Sequence, residues 1–229
     1  MKGNTKKKYH IKDPPFSKQI QLGELATTGG IGFHYQYEDN FMDFLENIKY
    51  THICDFNLLL RVIVNNSISI KYEGSTSKLF MNNIHTCMKE KKLIPIYVGI
   101  RVTKDKYIHA NLAIINPHLQ QIELFDPHGC NPRVGKKVAL KIQSFFKKKL
   151  PTYEFIITGD ILKHDTFQSK YSEEQDGMCM PWCLLYLHYR ILNQKISSRK
   201  LVTYLDKTIT KRKMLQHSRY IEDLLKHKI

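Results

Sequence analysis

The sequence predicts an α+β protein, a central and mostly antiparallel sheet packed against helices, one of them buried all round. Three observations carry this. Residues 93–125 hold three apolar runs, rich in β-branched side chains and separated by short turns. Helical periodicity lies on both sides of them. Residues 180–189 (MPWCLLYLHY) follow a polar loop at once and form an apolar segment too long for a strand.

Residues 1–30 read as a basic extension, mobile or laid over the surface, with Lys6-Lys7-Lys8, Pro14-Pro15, Gly29-Gly30 and little periodicity. Residues 31–229 then form a single domain with no linker inside it. Phe41, Phe44, Leu45 and Ile48 recur at helical intervals behind Asp39 or Asn40 as cap. Residues 56–72 are ambiguous between helix and strand, and 75–91 read as a helix with Leu79, Phe80, Ile84 and Met88 on one side. Strands follow at 93–102, 107–115 and 121–125, the second and third joined through Asn116-Pro117-His118. Residues 136–150 are an amphipathic helix, 153–158 a short strand, and after the loop of residues 168–179 comes the buried helix to about residue 193, followed by one or two basic helices at 197–208 and 215–228.

Composition excludes several classes. No apolar run approaches the ~20 residues of a membrane span. The opening MKGNTKKKYHIKDPPF lacks the apolar core of a secretory signal. Five irregularly spaced cysteines (Cys54, Cys87, Cys130, Cys179, Cys183) read as free thiols in a reducing compartment, cytoplasmic or nuclear. The net charge of +15 comes mostly from lysine, 29 of the 36 basic residues. Specific nucleic-acid readers rely on arginine, so the bland reading is a solvated lysine surface, with weak, salt-sensitive nucleic-acid binding as the alternative.

The chemistry concentrates in three residues. Cys179 opens the buried helix, where the helix dipole favours thiolate and Pro181 is tolerated because first-turn amides lack intrahelical partners. His109 lies in a strand and Asp126, 17 residues later, ends the next one. An antiparallel hairpin brings those two ends together. Taken singly, each has a structural explanation: a satisfied histidine, a turn-forming aspartate, a buried thiol. Together they fit the roles of nucleophile, base and orienter of the base. The Cys179 amide and a loop glutamine, Gln168 or Gln175, are the candidate oxyanion donors, and spacing does not choose between them. Asn111, His128 and Trp182 are candidates for lining the site, against a structural role in strand, turn and helix. A zinc site from Cys179, Cys183, His128 and Cys130 matches no established zinc spacing, and no cofactor is expected.

The segments HANLAIINPHLQQIELFDPHG and GMCMPWCLLYLHYRI, with a loop glutamine between them, resemble the cysteine proteases of SUMO and other ubiquitin-like proteins and the adenovirus maturation protease. The likeness spans residues 93–192 and is strongest to the branch carried by large DNA viruses. It implies a papain-like fold and a thiol protease or isopeptidase with Cys179, His109 and Asp126 as its triad and Gln168 as oxyanion donor. The implied substrate is ubiquitin, a ubiquitin-like modifier or a viral structural precursor; some relatives use the same triad for acyl transfer. Ala110 stands where many members carry a tryptophan that roofs a channel for a Gly-Gly tail, and Met180 replaces the usual glycine. The reading from another class is a basic nucleic-acid- or virion-binding protein with a vestigial triad.

Overall fold

The computed structural model describes residues 10–18, 37–103, 107–128, 135–162, 167 and 179–226. Six strands form one mixed sheet: β1 (Leu59–Val64), β2 (Ile68–Tyr72), β3 (Ile94–Val102), β4 (Tyr107–Asn116), β5 (Gln121–Phe125) and β6 (Glu154–Ile157). Their order is β2-β1-β3-β4-β5-β6. β1–β2, β3–β4 and β4–β5 pair antiparallel, while β1–β3 and β5–β6 are parallel. The ambiguous stretch at 56–72 thus resolves into a hairpin. Its apolar runs at 58–60 and 62–64 lead into and fill a strand, β1, whose neighbour β3 lies far ahead in sequence, a partner that local periodicity cannot reveal.

Helices cover both faces. On one lie α2 (Ser77–Lys89) and α3 (Gly135–Lys149), burying Phe80, Ile84, Val138, Ile142 and Phe146 against alternate residues of the strands. Thr76 caps α2, its hydroxyl accepting from the Leu79 amide. On the other face lie α1 (Tyr37–Asn47), α4 (Cys179–Leu192), α5 (Ser198–Thr208) and α6 (Lys211–Lys226). α4 is the predicted buried helix: every residue from Cys179 to Ile191 is buried. A helix apolar on all sides has to sit between layers, and this one lies between the sheet and the helices α1 and α6.

Within the stretch read as an extension, residues 10–18 run against the C-terminal end of α4 and the middles of α5 and α6. The Lys12 amide donates to Asn193 Oδ1 at 2.8 Å, and Asn193 Nδ2 returns a bond to the Lys12 carbonyl at 2.9 Å. Asp13 accepts from the Tyr189 and Tyr204 hydroxyls, and Phe16 packs edge-on against His217.

One expectation is corrected. Cys54 and Cys87 are not free thiols but are joined as a disulfide across 33 residues. The segment entering β1 and the last turn of α2 pack into one apolar cluster, which brings the two sulfurs together. Sequence spacing held no sign of this. Cys179 and Cys183 are free, and Cys130 lies outside the described residues.

Candidate active site

β4 and β5 build half of the site. Their register pairs Leu112 with Phe125, so β5 ends as β4 runs past it, and Asp126 follows directly beside the start of β4, which pairs with β3 alone. His109 Nε2 donates to Asp126 Oδ1 at 2.8 Å, with both side chains more than nine-tenths buried. Asp126 is held in turn, because the backbone amide of His128 donates to the same oxygen at 3.0 Å. An aspartate closing a turn onto the amide two residues on is an ordinary Asx arrangement. Here that oxygen also carries a histidine.

α4 supplies the other half. Cys179 is its first residue, 3 % exposed, and its sulfur is hydrogen-bonded to the His109 side chain and to the backbone of Ala110 and Met180. Since Nε2 faces the carboxylate, the ring presents Nδ1 to the sulfur. Sequence grouped Cys179, His109 and Asp126 on a hairpin interval, a helix-mouth position and a family resemblance, and the fold brings them into one hydrogen-bonded chain.

The electrostatics follow from that chain. Burial lowers the affinity of the His109 imidazole for its proton, but the Asp126 carboxylate and then the Cys179 sulfur outweigh it, holding the pKa up at about 10. Burial pushes the Cys179 thiol up; the bond and charge of His109, with the Ala110 and Met180 amides, outweigh that and leave it below its ordinary value. Both directions favour a thiolate beside an imidazolium. Cys183, one turn later, is the contrast. Fully buried, it donates to the Ala110 carbonyl at 3.5 Å, and burial with the nearby sulfur's charge pushes its thiol well up. One helix thus carries a thiol poised to ionise and another held protonated.

The remaining candidates lie behind or beside this chain. Asn111 is 2 % exposed, its amide 3.2 Å from Asp126 Oδ1 and 2.8 Å from His109 Nε2. The Asn111 amide therefore touches both members of the pair and the Ala110 carbonyl. Burial puts Asn111 behind the imidazole–carboxylate pair. The His128 ring, half-buried, lies 4.6 Å from the His109 ring. Trp182 is 3 % exposed and packs on Phe167, which also meets Phe125 at 5.5 Å, so it serves the core. Gln168 and Gln175 lie outside the described residues, as does the Cys130 of the zinc alternative.

Sequence reasoning missed what fixes α4 in place. Glu123 of β5 is fully buried and accepts from the Tyr186 hydroxyl at 2.6 Å, Arg190 Nε at 3.0 Å and the Ser198 hydroxyl at 2.6 Å. Arg190 Nη2 lies 2.9 Å from its other oxygen, and Nη1 donates to the Asn193 and Ile196 carbonyls. Phe125 stacks on Tyr186 with ring centres 4.3 Å apart. A sign was present: single charges inside the apolar runs QIELF and LLYLHYRIL, which only pairing makes tolerable.

No family model matches the sequence, and no curated protein matches it either. Solved structures do show likeness. The Chlamydia trachomatis effector Cdu1, solved bound to ubiquitin, aligns at 14 % identity and a TM-score of 0.44, over 85 % of this chain and 82 % of that one. The SUMO protease Ulp1, with its catalytic cysteine oxidised to a sulfinic acid, aligns at 12 % identity and 0.39, over 90 % and 85 %. The Ulp1 protease domain in complex with Smt3, the yeast orthologue of SUMO, aligns at 13 % and 0.38, over 82 % and 76 %. These likenesses are distant, and the functional reading rests on the side chains.

Proposed function

We propose that the chain is a thiol protease or isopeptidase in which Cys179 is the nucleophile, His109 the general base and acid, and Asp126 the group that orients the imidazole. The observation that carries this is the hydrogen-bonded run from Asp126 through His109 to a sulfur at a helix N-terminus, with the thiol held down and the imidazole held up. Burial without these partners would shift both groups the other way.

The chemistry follows in two halves. The thiolate adds to the substrate carbonyl carbon, and the negative charge gathers on its oxygen, for which the Cys179 amide is the candidate donor. The C–N bond breaks as the His109 imidazolium gives its proton to the departing amine. Water then attacks the thioester, losing its proton to His109, and the acid product leaves Cys179 free.

For the substrate we favour ubiquitin or a ubiquitin-like modifier, which the resemblance in residues 93–192 supports. Propargylamide derivatives of ubiquitin, SUMO and related modifiers test this. Capture of one of them by the wild type, and none by Cys179→Ala, is the expected result. Failure of every modifier, with cleavage of an unmodified precursor peptide by Cys179, would move the substrate to the precursor class. No thiol-dependent hydrolysis of either kind would leave the vestigial-triad reading.

A further inference from the structure

The exposed edge of β2 and the groove beside it are a second feature that hydrolysis does not use. β2 ends the sheet, and among the described residues nothing pairs with its outer side. The ladder to β1 says which groups are left over. Glu73 donates to the Leu59 carbonyl and Asn65 to the Ser67 carbonyl, both at 3.1 Å, and antiparallel pairs alternate between bonded and unbonded. Residues 69 and 71 therefore face β1, while the amides and carbonyls of Ile68, Ile70 and Tyr72 point outward.

The side chains of those same three residues face α3, with Phe145 opposite them; Tyr72 and Phe145 ring centres are 5.9 Å apart. The space between is about 470 Å³ and is rimmed by Lys141, Lys148 and Lys149. α3 carries six lysines and no acidic residue, and β2 has none either. The carboxylate at the end of the strand, Glu73, lies 2.9 Å from Arg61.

An unpaired edge with half-buried isoleucines beside it invites an added strand. The lysine rim decides its chemistry. A second copy of this chain would bring its own lysines to the same place, so like charges oppose self-pairing. Nucleic acid would use the lysines but has no use for an isoleucine floor or outward strand amides. We propose that this edge and groove bind an extended acidic protein segment, which adds to β2 as a strand with acidic side chains against α3. The site lies on the opposite face of the sheet from α4, so the segment would act as a tether or recruiting partner and not as the hydrolysed bond.

The test is fluorescence anisotropy with a labelled decapeptide of alternating valine and glutamate, its lysine-for-glutamate counterpart, and a labelled twenty-residue oligothymidine. The acidic peptide is expected to bind, and to weaken at least tenfold both in Lys141→Glu/Lys148→Glu and in Ile70→Pro. Proline at 70 removes an outward amide without breaking the ladder to β1. Amide exchange at Ile70 and Tyr72 should slow when the peptide binds wild type, which serves if Ile70→Pro does not fold. Alkylation of Cys179 should be unchanged in the lysine variant. Acidic-peptide binding indifferent to Ile70→Pro with no slowing of exchange, no binding at all, or tighter binding of oligothymidine at the same lysines would each overturn the proposal.

Discussion

At the scale of residues, the candidate site is a line of groups in which each fixes the next. Asp126 Oδ1 is met by two donors, the His109 ring and the His128 amide, and the Asn111 amide lies against both side chains of the pair. Asn111→Leu keeps the volume and removes that polar contact. The expected effect is a fall of roughly tenfold to a hundredfold in kcat, with KM little changed, because the loss touches positioning and not binding. The alkaline limb of kcat/KM should also move below about 10, since a loosened carboxylate holds the imidazole's proton less firmly. An unchanged pH profile would place Asn111 in the fold alone. The oxyanion donor is a separate question. Gln168→Ala is expected to lower kcat by about 10²–10³, and Gln175→Ala to leave it near wild type, both read by single-turnover hydrolysis. The reverse order would exchange their roles.

At the scale of elements, α4 must deliver Cys179 to a fixed point, and the Glu123–Arg190 pair with its Tyr186 and Ser198 partners locks it to β5. Arg190→Met leaves a buried carboxylate without its charge partner, which costs about 3–5 kcal/mol. Glu123→Leu together with Arg190→Met should cost clearly less than the two single effects summed, and urea denaturation of the cycle reads the difference. A second device joins α4 to α6. His188 Nδ1 and His217 Nε2 lie 3.1 Å apart among the rings of Phe16, Phe44, Tyr50 and Tyr220. Burial holds His188 down at about 4 and, with His188 beside it, pushes His217 well down. The unfolded chain therefore takes up these protons first. The contribution of this pair is complete above about pH 6.5 and is lost on the way down toward 4, by about 3 kcal/mol for His188. Denaturation at pH 7 and 4.5 should show that fall in wild type and a smaller one in His188→Phe. An equal fall in both would contradict it.

At the scale of the whole molecule, the three strands of residues 93–125, the amphipathic α3 and the all-apolar α4 were legible, because their signals are local. Legible too were the three chemical residues, because a hairpin interval and a loop-to-helix junction are local features. What was not legible depended on distant partners. The β1–β3 pairing, the Cys54–Cys87 link and the docking of residues 10–18 all join parts of the chain that share no local pattern. The disulfide closes a 33-residue loop, worth about 4 kcal/mol by chain entropy, so Cys87→Ser should unfold at lower urea than wild type, and reduction should remove the difference. The same dependence on distant contacts governs the chemistry, because only the fold brings His109 to the sulfur 70 residues away. The most direct measurement is therefore the rate of Cys179 alkylation by iodoacetamide against pH, resolved by peptide mass spectrometry, in wild type, in His109→Ala and in urea. Wild type should react through a thiolate whose pKa lies below the ordinary thiol value, with both His109→Ala and unfolding returning it upward. A wild-type profile matching that of His109→Ala, or label appearing at Cys183 in place of Cys179, would contradict the account.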